Sequence, residues 1–264
     1  MESDIVRAVI LGVVQGLTEF FPVSSTAHLI LFPWFFGWGG EVDTLTFDVS
    51  LHGGTLCALL ICFYKDWIGF LRSDRNMLLL IALASVPAGL AGVLFKDVVE
   101  NALRSPLVIV VSLISVGVIM LLAERYSGMR TTRLKRNASL ADAVTIGAAQ
   151  AVALIPGVSR SGITITAGLF RTMTRESAAR FSFLLSTPVI AGATLLHGRQ
   201  FLVHQEYHLG VFAAGFAAAL VSGIWAIKFL MRFLRSHPMN VFVYYRFLLA
   251  AVIVVAWLRT GMQA

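Results

Sequence analysis

The chain has 264 residues, of which 58% are hydrophobic and 13% charged, and its formal net charge is +7. An ordinary soluble domain carries about 25% charged residues, so a water-soluble globule is excluded and a bilayer must solvate most of this chain. The positive excess does not point to nucleic acid, because the basic residues stand between apolar runs rather than in a groove-lining patch interleaved with aromatics.

No cleavable leader is expected at the start, where the first apolar stretch follows Glu2 and Asp4 rather than a basic segment and runs into polar Glu19. The region Ile5 to Phe36 is apolar but broken midway by Pro22, Ser24, Ser25 and Thr26, and it reads as a re-entrant helix pair. Phe47 to Tyr64 is the first run that approaches the roughly 20 apolar residues needed to cross a hydrocarbon core. It contains both cysteines, Cys57 and Cys62, with no His or Cys partner at zinc spacing, so both are read as core. Met77 to Phe95 and Pro106 to Ala123 follow as the second and third spans. Leu140 to Phe170 is a second broken region, interrupted by Pro156, Gly157, Ser159 and Arg160, and reads as another re-entrant pair. Phe181 to Leu196, Leu209 to Met231 and Val241 to Leu258 complete six spans.

The two broken regions match when the chain is shifted by 135 positions: Ala8 falls on Ala143, Val9 on Val144, Gly12 on Gly147, Gln15 on Gln150, Val23 on Val158 and Ser24 on Ser159. Each half then holds one re-entrant pair followed by three spans, an odd number of crossings, so the second half enters from the opposite face. The expected fold is an all-α polytopic membrane protein, one integral domain over residues 1–264, built from inverted-topology repeats at about 5–123 and 140–258. On that scheme fifteen basic residues, among them Arg125, Arg130, Arg133, Lys135, Arg175 and Arg246, fall on one face. Only Arg7, Lys96, Arg104, Arg199 and Arg259 fall on the other. The first face is assigned to the cytoplasm by the positive-inside rule, which leaves both termini outside.

Irregular backbone at membrane depth must be buried in protein or line a wet cavity, so the two breaks are expected to meet there and offer helix ends to an anion. Arg160 would cost roughly 2.5 kcal/mol or more at a membrane centre and needs a partner, either a ligand phosphate or a structural ion pair with Glu19. Gly157, Ser159, Ser161 and Gly162 around it let backbone approach a phosphate closely. In the first break Glu19 and His28 flank three hydroxyls. Ser24 or Ser25 is a candidate nucleophile, His28 a candidate acid or base, and Glu19 a metal ligand or second base. Thr26 is a candidate helix cap, and Gln15, one turn before Glu19, reaches the same ligand. Asp48 and Arg246 read as span-end residues. His52, His197, His204, His208 and His237 read as structural.

Two motifs carry a family resemblance: Gln15-Gly16-Leu17-Thr18-Glu19-Phe20-Phe21-Pro22-Val23-Ser24-Ser25-Thr26-Ala27-His28, and Pro156-Gly157-Val158-Ser159-Arg160-Ser161-Gly162-Ile163-Thr164. With them nearly the whole chain resembles the undecaprenyl-diphosphate phosphatases of bacteria, the bacitracin-resistance family. The resemblance implies removal of the terminal phosphate from a C55 polyprenyl diphosphate, which recycles the carrier lipid for cell-wall synthesis. It implies a divalent cation, Mg or Ca, and a site open to the outer face of the plasma membrane, with a homodimer as a candidate assembly. Glu19, Ser25, His28, Ser159, Arg160 and Thr164 fall on the family's functional positions. Gln15 stands where many members have Glu, so a metal ligand there would be neutral. The competing reading is a transporter or flippase of a polyprenyl phosphate or small anion, since broken helices at a midplane also build transporters.

Overall fold

The computed structural model describes residues 2–95, 98, 103, 105–129, 134–203 and 208–260. Expectations resting on Lys96, Arg104, Arg130, Arg133 and His204, and on the side chains of His197 and Arg199, lie outside the described residues. Among the described residues the architecture is wholly helical: α1 (Glu2–Phe20), α2 (Ser25–Phe36), α3 (Leu45–Cys62), α4 (Tyr64–Arg72), α5 (Arg75–Leu94), α6 (Pro106–Gly128), α7 (Leu140–Val152), α8 (Arg160–Phe170), α9 (Arg175–Val203), α10 (Leu209–Phe233) and α11 (Asn240–Thr260).

Among the described residues six helices are long and apolar enough to cross a membrane: α3, α5, α6, the Arg175–Leu196 part of α9, α10 and α11. Each lies on an expected run. Four of them begin a residue or more before the apolar stretch because the caps are polar: Thr44 Oγ1 accepts from the Phe47 N–H at 3.1 Å, and Asp74 Oδ1 from the Met77 N–H at 3.2 Å. Two elements were not expected, a short 3₁₀ turn at Gly40–Asp43 and α4. Lys65, Asp66 and Arg72 make α4 too polar to read as a span, while Phe70 on its other side is buried.

The halves interlock. Helix α1 packs along α10, and α7, at the matching place in the second half, packs along α5. Glycine permits both contacts: a Cβ at Gly12 would strike the Gly215 backbone, and one at Gly147 would strike the Ala84 backbone. Helix α3 meets α9 and α6 meets α11, so one core runs through both halves and includes Phe20, Met120, Ala143, Phe183 and Ala226.

One end of the bundle is a belt of ion pairs. Lys135 and Arg171 hold the buried Asp142 at 2.6 and 2.8 Å, Arg175 forks onto Glu124, and Arg235 holds Glu176 at 2.7 Å. Burial opposes charge on Asp142, but donors from Lys135, Ser139 and Arg171 outweigh it and hold the carboxyl at about 2. Arg246, expected with this basic end, is instead fully buried two turns inside α11. An isolated guanidinium in apolar sequence goes where carbonyls can pair with it.

Candidate active site

The two chain breaks fold alike. Ser24 (φ +73°) and Ser159 (φ +70°), which match in the repeat, both take the left-handed backbone that only glycine adopts readily. Each is an N-cap: Ser24 Oγ accepts from the Ala27 N–H at 3.5 Å, opening α2, and Ser159 Oγ accepts from the Gly162 N–H at 3.1 Å, opening α8. Such backbone costs on the order of 1 kcal/mol or more and persists only where the surroundings fix it.

Arg246 does the fixing. Its Nη1 donates to the carbonyls of Pro22 and Val158 at 3.3 and 3.2 Å, its Nη2 to Gly157 at 2.9 Å and Ser112 at 3.1 Å, and its Nε to Leu113 at 3.1 Å. One buried cation thus ties both breaks to each other and to α6. Gly157 (φ +90°) has no alternative, since a Cβ there would sit 2.7 Å from the Ile109 carbonyl oxygen. Ser161 Oγ adds a direct bond across the breaks, donating to the Phe21 carbonyl at 3.1 Å.

This frame brings the first residues of α2 and α8, Ser25 and Arg160, to Glu19 in the last turn of α1. Glu19 Oε2 accepts from Ser25 Oγ at 2.6 Å and from Gln15 Nε2 at 2.9 Å, and Arg160 Nη2 is paired with Oε1. The ion pair between Arg160 and Glu19 is therefore realised. His52 Nδ1–H donates to the Asp48 carbonyl at 2.8 Å, which turns Nε2 toward Glu19 Oε2, 3.6 Å away. Free amide N–H groups at the two helix starts add positive potential, so the arrangement suits an anion beside a carboxylate already neutralised by Arg160.

These groups border a cavity of about 330 Å³, within the size range of small-ligand sites. Glu19, Ser24, Ser25, Thr26, Ser159 and Arg160 all line it, and so do Asp48, His52, Gln150 and Thr194. Most of the remaining wall is aliphatic, and Leu45, Val49, Ala88 and Ala193 come from the parts of α3, α5 and α9 away from the ion-pair belt.

Several expected residues lie behind the cavity. His28 is buried with both ring nitrogens engaged, Nδ1–H donating to the Ser24 carbonyl and Nε2 accepting from the Tyr245 hydroxyl, each at 2.7 Å. One turn along α2 from Ser24, its ring turns onto α11 and stacks on Tyr245. Thr164 donates to the Arg160 carbonyl at 2.6 Å and bonds Ser182 Oγ, Gly162 packs against Ser159, and Gln15 reaches Glu19 rather than the cavity. None of the four is among the residues that line the cavity. His52 reads as a lone histidine in the sequence, but its spacing one turn after Asp48 puts both on one face of α3, and both line the cavity. Gln150 was visible as the repeat partner of Gln15, and Arg246 as a lone cation in an apolar run.

A divalent cation can be tested against this donor set. Among the described residues no three His, Cys, Asp or Glu side chains gather to hold an ion. Glu19 and Asp48 do share the cavity, and Mg²⁺ is commonly held by one or two carboxylates with substrate phosphates completing its shell. Glu19 and Asp48 are thus the two carboxylates of the cavity that could hold such an ion.

The family model described as bacitracin resistance protein BacA matches residues 8–252, which take in both breaks and the whole cavity. The chain belongs to that family. Relatives named undecaprenyl-diphosphatase include those of Thermodesulfovibrio yellowstonii, 53% identical over 252 residues (95% of this chain and 96% of the relative), and Moorella thermoacetica, 47% identical over 264 residues (97% and 99%). That of Desulforudis audaxviator is 44% identical over 265 residues, covering 96% and 98%.

Proposed function

We propose that this BacA-family protein removes the terminal phosphate of undecaprenyl diphosphate, releasing undecaprenyl phosphate and inorganic phosphate at the outer face of the bacterial plasma membrane. The observation that carries the reading is Ser25 Oγ at 2.6 Å from a carboxylate able to take its proton, with Arg160 on the other oxygen of that carboxylate. A lipid substrate is supported by an apolar groove of about 420 Å³ between α3 and α10, which shares Val49 and Thr194 with the cavity. The outward opening and the inverted repeat are supported by the position of the ion-pair belt away from the cavity lining.

On this reading the diphosphate competes with Glu19 for Arg160, whose planar fork takes two phosphate oxygens. Glu19, released from that pair, accepts the Ser25 proton as Oγ attacks the terminal phosphorus. The bond from that phosphorus to the bridging oxygen breaks, and the lipid monophosphate leaves with the bond's electrons. Water then attacks the phosphoserine phosphorus and gives its proton to His52 Nε2, while Glu19 returns the proton it took to Ser25 Oγ, so that the P–Oγ bond breaks, inorganic phosphate leaves and the hydroxyl is restored. Arg160 and the N–H groups at the starts of α2 and α8 stabilise the charge spread over the transferring group. A divalent cation, held by Glu19 with Asp48 beside it, would neutralise diphosphate charge.

The test is phosphate release from undecaprenyl diphosphate by purified protein in detergent, with and without chelator, for wild type, Ser25→Ala, Glu19→Ala and Arg160→Ala. Wild-type protein that binds the lipid and releases no phosphate would leave the transporter reading standing instead.

A further inference from the structure

The internal repeat is broken chemically at the site itself. In the first half Gln15 donates to Glu19, which accepts from Ser25; at the same offsets the second half has Gln150, Leu154 and Arg160. Gln150 thus occupies the place of Gln15 without the carboxylate that Gln15 bonds. Its side chain is 2% exposed, and neither amide atom, Nε2 nor Oε1, has a hydrogen-bond partner within the protein. A buried amide without partners costs about 1–3 kcal/mol, and apolar residues of the same volume were available to this position. Gln150 borders the cavity, which Ala88, Leu154, Ser159 and Arg160 also line.

We propose that Gln150 is a substrate-binding residue whose Nε2–H donates to an oxygen of the diphosphate, a role that rests on the phosphatase reading above. It supplies a neutral donor from the last turn of α7, opposite the hydroxyl and carboxylate that α1 and α2 contribute. The two halves divide the work accordingly: the first carries the group that attacks, and the second carries donors that hold the anion, charged at Arg160 and neutral at Gln150. Because Gln150 touches substrate rather than the reacting hydroxyl, its removal weakens binding more than turnover.

The experiment uses full-length protein in detergent and compares wild type, Gln150→Met and Gln150→Glu. KM and kcat are measured on undecaprenyl diphosphate, and the thermal midpoint is measured with and without methylenediphosphonate, a diphosphate that cannot be cleaved at the bridge. Gln150→Met is expected to raise KM roughly tenfold while kcat stays within about threefold. Its midpoint without ligand should equal or exceed that of wild type, because an unpaired polar group has been removed, and methylenediphosphonate should shift it less than wild type. Gln150→Glu, which sets a carboxylate against the phosphates, should bind more weakly still. Unchanged KM and an unchanged ligand shift in Gln150→Met overturn the proposal, as does a fall in the ligand-free midpoint with KM unaltered. Wild type that is shifted by methylenediphosphonate but releases no phosphate overturns the phosphatase reading and leaves the Gln150 contact to be judged by the shift alone.

Discussion

Gln15, Ser25, His52 and Arg160 all approach Glu19, and they do not contribute equally to the chemistry. Ser25 is the one that carries a hydroxyl, bonds Glu19 at 2.6 Å and lines the cavity. Ser25→Ala is therefore expected to lower kcat about 10²-fold or more, read by phosphate release; retention of most activity would hand the nucleophile's role to Ser24, Ser159 or water. Arg160→Ala should cost about 10³-fold or more in kcat, in line with arginines that stabilise phosphoryl transfer. The two histidines make a sharper comparison. His28→Phe loses its bonds to Ser24 and Tyr245 behind the cavity and should lower the thermal midpoint with little change in KM. His52→Ala, facing Glu19, should lower kcat with the midpoint retained. The opposite pattern in paired melting and kinetic measurements would return the acid-base role to His28.

At the scale of elements, Arg246 decides whether the breaks stay together. Arg246→Met removes the guanidinium donors from the carbonyls of Pro22, Gly157 and Val158 at the breaks, whereas those of Ser112 and Leu113 keep their places in the α6 ladder, and each buried carbonyl left unsatisfied costs about 1–3 kcal/mol. The variant is expected to melt far below wild type and to lose activity, although Arg246 does not line the cavity. The clasp on Asp142 works differently. A carboxyl held at about 2, below its ordinary value of 3.8, stabilises the fold above the ordinary value and ceases to as pH falls through the folded one. Asp142→Asn should thus melt below wild type at neutral pH, and the gap should narrow as pH drops from about 4 toward 2. A gap independent of pH would mean that the ion pairs with Lys135 and Arg171 contribute nothing.

At the scale of the whole molecule, the ion-pair belt and the cavity lie toward opposite ends of the bundle, and sidedness follows from which end faces the cytoplasm. In a variant with Cys57 and Cys62 replaced, a cysteine at Arg136 should resist a membrane-impermeant reagent added to intact cells; labelling there would invert the proposed orientation. The six long helices were legible in the chain because apolar length is a property of consecutive residues. The breaks were legible because Pro, Gly, Ser and a lone Arg interrupt apolar sequence at a cost that demands a reason.

The sequence by itself determined that the chain is a helical membrane protein with two matching interruptions, which residue types stand at them, and which family the motifs resemble. Only the tertiary structure decided which residues face one another. Helical periodicity says that Gln15 can reach Glu19, but whether His28 or His52 reaches the same carboxylate depends on how α2 and α3 are rotated by their packing on α11 and α9, far along the chain. Arg246 and Gln150 were ordinary letters until packing brought one to five carbonyls and left the other with none. Ser24 and Ser159, by contrast, stand at matching places in the sequence, and both take the left-handed backbone.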